Sequence, residues 1–161
     1  MFDDVLEANR TYAKTFALQG LPAPAARGLA VLTCIDSRIE PLAMLGLQPG
    51  DAKILRNAGA RVSTDVLRSL ILATNLLNVD RICVVQHTDC AMTKATEEAL
   101  QADLGGRHGT DAGGWNFRTI ADQAAAVADD IALIRDCDLI SAAVEVAGFV
   151  YDVDTGLLRP L

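Results

Sequence analysis

Short apolar runs alternate along this chain with longer amphipathic stretches. LAVLTCI (29–35) is apolar through its middle and of strand length, the kind of run that is buried on both faces of a parallel sheet. AKILRNAG (52–59) reads as a second strand closing on a glycine turn, and RICVVQH (81–87) as a third. Between them Val66, Leu67, Leu70, Ile71, Thr74 and Leu77 recur at helical spacing, with Ser63 or Thr64 placed to cap that helix. Residues 3–17 form a shorter helical pattern with Val5, Leu6, Tyr12 and Phe16 as its apolar positions, before LPAPAARG (21–28) breaks it. Pro41 starts a helical piece in PLAMLGL. Further on, AMTKATEEALQAD (91–103) reads as helix and LGGRHGTDAGG (104–114), with five glycines, as a flexible loop. An alanine-rich helix is expected over roughly 117–135, followed by AVEVAGFVYDV, a turn at DTG and a closing LLRPL.

Strand and helix in alternation predict an α/β fold: a central, mostly parallel β-sheet flanked by helices and joined by right-handed crossovers. No repeat or linker divides the chain, so residues 1–161 read as one domain. A hydrophobic fraction of 51% argues against disorder, although alanine supplies much of it. The net charge of −7 argues against nucleic acid, which calls for a basic footprint, and against polybasic attachment to a membrane. No apolar run reaches bilayer length. MFDDVLEANRTYAK is acidic early and lacks the apolar core of a signal peptide, so a cytoplasmic location is expected.

Four cysteines, Cys34, Cys83, Cys90 and Cys137, make no disulfide framework in a chain of this size. Cys83, between Ile82 and Val84 in a strand, reads as a small buried hydrophobe, and Cys137 as inert. Cys34 differs, because it ends an apolar strand in Cys-Ile-Asp-Ser-Arg. Strand residues two apart lie on one face, so Cys34, Asp36 and Arg38 converge if the extended geometry continues. The third strand ends in HTDC, where His87 and Cys90 are spaced to turn toward one metal. Ligand sites in open parallel sheets form beyond the carboxyl ends of the strands, where all three residues fall. Two thiolates and one imidazole suit Zn²⁺ and leave a fourth position open. Asp36 can fill that position or orient solvent there, and Arg38 can hold the carboxylate through a bidentate pair. Asp89 and Thr88 read as caps of the helix beginning near Ala91. Arg56 reads as a support for the glycine turn, and His108 as an exposed loop histidine.

CIDSR, RNAG at 56–59 and HTDC at 87–90 together resemble the beta-class carbonic anhydrases, and the resemblance runs along nearly the whole chain to GFVYDVDTG. It implies a beta-carbonic-anhydrase-like fold with zinc on Cys34, His87 and Cys90 and an Asp36–Arg38 dyad. It also implies that Gly59 presents backbone groups near bound solvent or substrate. The activity implied is attack of zinc-bound hydroxide on carbon dioxide to give bicarbonate and a proton. The implied assembly is a homodimer or tetramer, with residues 1–20 as a helical arm packing on a partner subunit. The same site could instead hydrolyse carbon disulfide or carbonyl sulfide, and a non-catalytic zinc or thiol module is a further alternative. Ala91 departs from the family, which has glycine after the second cysteine; its methyl is tolerable only where the backbone is not left-handed.

Overall fold

The computed structural model describes residues 1–161. Its strands are β1 (Leu29–Cys34), β2 (Ala52–Asn57), β3 (Arg81–His87), β4 (Glu145–Tyr151) and β5 (Leu158–Pro160). They form one sheet in the order β2-β1-β3-β4-β5. The first four are mutually parallel, and β5 returns antiparallel to β4 at one edge. The expected α/β class is therefore observed, and the closing LLRPL supplies a strand that its composition did not announce. The turn before it is built by Asp152, whose carboxylate accepts the N–H groups of Asp154 and Thr155.

The helices are α1 (Asp3–Ala13), α2 (Pro41–Met44), α3 (Thr64–Leu76), α4 (Glu97–His108) and α5 (Gln123–Arg135). Single 3-10 turns occupy Ala58–Ala60 and Ala91–Thr93. Val66 and Leu70 of α3 and Val127 and Ile134 of α5 pack with Leu32, Ile82 and Val84 of the sheet in the main core. Ser63 is the cap of α3, its hydroxyl accepting the Val66 N–H at 3.3 Å. No residue of α1 is buried, and Val5, Leu6 and Tyr12 stand more than half exposed. No helix is long and apolar enough to cross a membrane.

Three helix boundaries differ from the sequence expectation. The first helix stops at Ala13 rather than Phe16 or Ala17. The helix expected over 91–103 begins only at Glu97, where the Thr96 hydroxyl accepts the Ala99 N–H, and it continues through the glycine pair to His108. Gly105 is needed there because a Cβ would stand 2.7 Å from the Thr110 carbonyl as the chain turns back. Gly109, at φ +63°, ends the helix in the left-handed conformation that glycine adopts without penalty. The alanine-rich helix begins at Gln123 with Asp122 as its cap, not at Phe117. Residues 117–119 are held instead by Glu97, whose carboxylate accepts the Phe117 and Thr119 N–H groups.

Candidate active site

β1 and β3 are neighbours in register, Thr33 facing Val85, so Cys34 and His87 end adjacent strands at the same edge of the sheet. The loop after β3 brings Cys90 back to them. The donor atoms of Cys34, His87 and Cys90 all lie within 4.8 Å of one another, and all three residues are buried. Ile39 packs with the two cysteines, and Met44, Met92 and Tyr151 close around them.

The chemistry of this cluster fits a divalent soft-to-borderline cation. The His87 Nδ1 lies 2.8 Å from the Thr88 carbonyl, which fixes the proton on Nδ1 and leaves the Nε2 lone pair free. That Nε2 is buried without a hydrogen-bond partner, an arrangement a native core rarely tolerates unless a ligand completes it. The sulfurs point the same way. Hydrogen bonding to Cys90 pulls the Cys34 thiol down, against the desolvation that burial imposes, with His87 and the Gly59 N–H assisting. Cys90, beside that sulfur and buried, is pushed up. The two sulfurs are thus driven in opposite directions, and a metal between them favours two thiolates. Burial draws the His87 imidazole down, but the Cys34 sulfur, the Thr88 carbonyl and the Asp36 charge together leave the net shift upward. Zinc takes this donor set and leaves a coordination position open.

Asp36 and Arg38 reach the cluster by a route different from the expected one. The strand ends at Cys34, and the next residues turn. The Asp36 Oδ1 accepts the Arg38 N–H at 2.9 Å, and the Asp36 carbonyl accepts the Ile39 N–H at 3.1 Å. This Asx-type turn, not a continued strand, sets the carboxylate in a fork: Arg38 Nε donates to Oδ1 at 3.0 Å and Nη2 to Oδ2 at 2.8 Å. The Arg38 guanidinium holds the Asp36 carboxyl well below the usual carboxylate range. The Asp36 Oδ2 stands 3.9 Å from the His87 Nε2, at the border of the donor cluster.

Several expectations for neighbouring residues are overturned. Asp89 caps nothing. Its carboxylate takes Arg38 Nη1 on Oδ2 at 2.9 Å and Lys94 Nζ on Oδ1 at 2.6 Å, and these two cations keep it ionised. Thr88 is not a cap either; its hydroxyl accepts the Val153 N–H at 3.1 Å and ties the ligand loop to the chain after β4. Arg56 does not brace the glycine turn. It donates to the carbonyls of Cys34 and Asp36 at 2.9 and 2.7 Å, while Asn57 braces the turn through the Arg61 backbone.

The Gly59 N–H points at the Cys34 sulfur, 3.4 Å away. Its φ is +75°, and a Cβ would come within 3.1–3.3 Å of Ile120 and Met92, so only glycine fits comfortably. Ala91 lies outside the left-handed region, which Asp89 occupies instead at φ +53°, so the alanine methyl is accommodated. Gln123, which nothing in the sequence pattern singled out, donates to the His87 carbonyl at 2.8 Å from the start of α5. His108 is exposed at the end of α4, and Cys83 and Cys137 stay partly buried, free and outside the cluster.

Comparison with known proteins agrees with this geometry. The family model described as carbonic anhydrase matches residues 29–112, which hold all three donors and both members of the Asp36–Arg38 fork. Beta-carbonic anhydrase 1 of Mycobacterium tuberculosis is 34% identical over 98% of this chain and 95% of its own length. A carbon disulfide hydrolase of Saccharolobus solfataricus is 35% identical over 88% of this chain and 80% of its own. The solved structure of a carbonic anhydrase from Streptococcus mutans superposes with a TM-score of 0.93 at 38% identity, covering 99% of this chain and 96% of that one. With the donor cluster, the fold and these likenesses in agreement, the chain belongs to the beta-carbonic anhydrase family.

Proposed function

We propose that this protein hydrates carbon dioxide reversibly to bicarbonate and a proton, with zinc held by Cys34, His87 and Cys90. The observation that carries this reading is the convergence of three buried donors, one with an unpartnered lone pair, beside a carboxylate gripped by an arginine. Zinc bound there supplies a Lewis acid that makes water nucleophilic near neutral pH. The protein's own residues do the rest. Asp36 has Oδ1 on Arg38 Nε and N and Oδ2 on Nη2, so it stands at the border of the cluster without filling it. In that position it can accept a hydrogen bond from the attacking oxygen and orient it. Arg38 keeps the carboxylate ionised and in place. Arg56 holds the backbone that carries both Cys34 and Asp36, and the Gly59 N–H stabilises the Cys34 sulfur as thiolate.

A non-catalytic zinc module would be better served by a carboxylate completing the donor set than by one committed to Arg38. Carbon disulfide is the competing substrate, supported by the Saccharolobus relative. Stopped-flow measurement with a pH indicator, on protein containing about one zinc per chain, separates these readings. Proton release from carbon dioxide well above the buffer rate is expected. Hydrogen sulfide release from carbon disulfide, with no carbon dioxide activity, would replace the proposal with the alternative.

The α1 helix leaves its apolar side chains in solvent, which supports assembly with a second copy through residues 1–20 as a homodimer, or a tetramer of two such pairs. Light scattering on the full chain and on a chain lacking residues 1–20 tests this, the shortened form being expected to fall to monomer mass. Its four cysteines are all free thiols, which supports a reducing, cytoplasmic setting.

A further inference from the structure

Asp36 and Arg38 sit two residues apart on a single turn, so their fork would hold together even if the whole turn swung away from the metal donors. Something must fix that turn relative to the loop carrying His87 and Cys90. We infer that Asp89 is this fixing group: a positioning residue that ties the Asp36–Arg38 pair to the ligand loop. The inference rests on the hydratase reading above.

The contacts are specific. Arg38 spends one side of its guanidinium on Asp36 and turns the other outward to Asp89, 51 residues away in sequence. Nη1 meets the Asp89 Oδ2 at 2.9 Å, and Nη2 reaches the Asp89 carbonyl at 3.2 Å. Both the side chain and the backbone of Asp89 are therefore engaged. Lys94, from beyond the 3-10 turn, takes the remaining Oδ1 at 2.6 Å. The carboxylate is stretched between two cations, so it cannot turn toward one without losing the other. Because Asp89 lies between His87 and Cys90, wherever the donors go the fork is drawn with them.

The backbone supplies the second, independent observation. Asp89 has φ +53°, a left-handed conformation that costs a residue with a Cβ about 1 kcal/mol or more and costs glycine little. The ion pair itself is about half exposed on both sides and adds little to stability. On stability alone glycine would do as well at this position, so what the carboxylate adds there is the tie it makes.

Asp89→Gly therefore makes a clean test: it relieves the backbone while removing the tie. In zinc-loaded protein we expect about one zinc per chain and a melting temperature within about 4 °C of wild type. We expect kcat to fall about tenfold with KM changed less than twofold, because Asp36 loses its position and the substrate loses no contact. Exchange of the Arg38 Nη1 protons, which Asp89 alone holds, followed by ¹⁵N NMR, should accelerate at least fivefold. Asp89→Asn, which tolerates the same φ and keeps an acceptor for Nη1, should recover kcat to within about threefold of wild type. Unchanged kcat and unchanged Nη1–H exchange in Asp89→Gly would overturn the inference. So would loss of zinc in both variants, which would make Asp89 a structural member of the ligand loop. Wild-type protein that binds zinc but does not hydrate carbon dioxide would sink the function instead, and the exchange measurement would still decide whether the tie exists.

Discussion

Arg61 and Asp130 form a buried ion pair that fastens the glycine turn to α5. Arg61 Nε donates to the Asp130 Oδ2 at 2.7 Å, and the Asp130 Oδ1 accepts the Val62 N–H at 3.1 Å. The Asp130 side chain is wholly buried and that of Arg61 nearly so. Removing one partner strands the other in a low-dielectric site. Asp130→Ala is therefore expected to cost about 3 kcal/mol, read as a lowered urea midpoint. It should also weaken zinc binding, because the turn carrying Gly59 loses its mooring.

Arg38→Ala removes the fork while leaving the three metal donors untouched. Zinc content should stay at about one per chain, and carbon dioxide hydration should fall at least a hundredfold. Near-normal turnover would show that Asp36 needs no arginine to act.

Gly59→Ala combines a left-handed backbone with a Cβ pressed on Ile120 and Met92. A stability loss of about 1–2 kcal/mol is expected. The displaced N–H also withdraws a hydrogen bond from the Cys34 sulfur. Competition with a chromophoric chelator should accordingly reveal a several-fold weaker zinc affinity.

Metal removal should expose the cysteine pair. Chelator-treated protein is expected to lose its activity, melt at a lower temperature and regain both on addition of zinc. Thiol-reactive reagents should label Cys34 faster in the stripped protein than in the loaded one. His87→Ala should resemble the stripped form permanently. Equal labelling rates with and without zinc would count against these ligands.

Glu97 gives a pH signature remote from the metal. Its carboxylate accepts backbone N–H groups, the Phe117 one foremost, and lies below its ordinary range in the folded state. A depressed folded value means its stabilisation is complete above the unfolded value of about 4.3 and is lost as pH falls through the folded one. Wild type should thus melt above Glu97→Gln at pH 7, and the gap should narrow as pH falls below the unfolded value. A gap independent of pH would show that the carboxylate's charge is not what holds residues 117–119.

The strands and α3 were legible because their signals are local. LAVLTCI and RICVVQH are apolar enough to demand burial, and the α3 stripe repeats at the helical period. The boundaries of α4 and α5 were not. Continuation through Gly105 and Gly106 depends on how the chain turns back at Thr110, and the start of α5 depends on residues 117–119 being claimed by Glu97. Both are contacts between segments distant along the chain, which no window of sequence contains.

For the site, the residue types carried the identity of the donors. Two thiols and an imidazole at strand ends restrict the chemistry to few metals, wherever the chain takes them. Tertiary structure decided how the surrounding polar groups are shared. Asp89, which by position alone reads as a helix cap, is claimed by Arg38 and Lys94, and Arg56 serves the end of β1 rather than its own turn. A side chain's chemistry is written in its type, but its partner is chosen by which groups folding brings within about 3 Å, and that is a property of the whole chain.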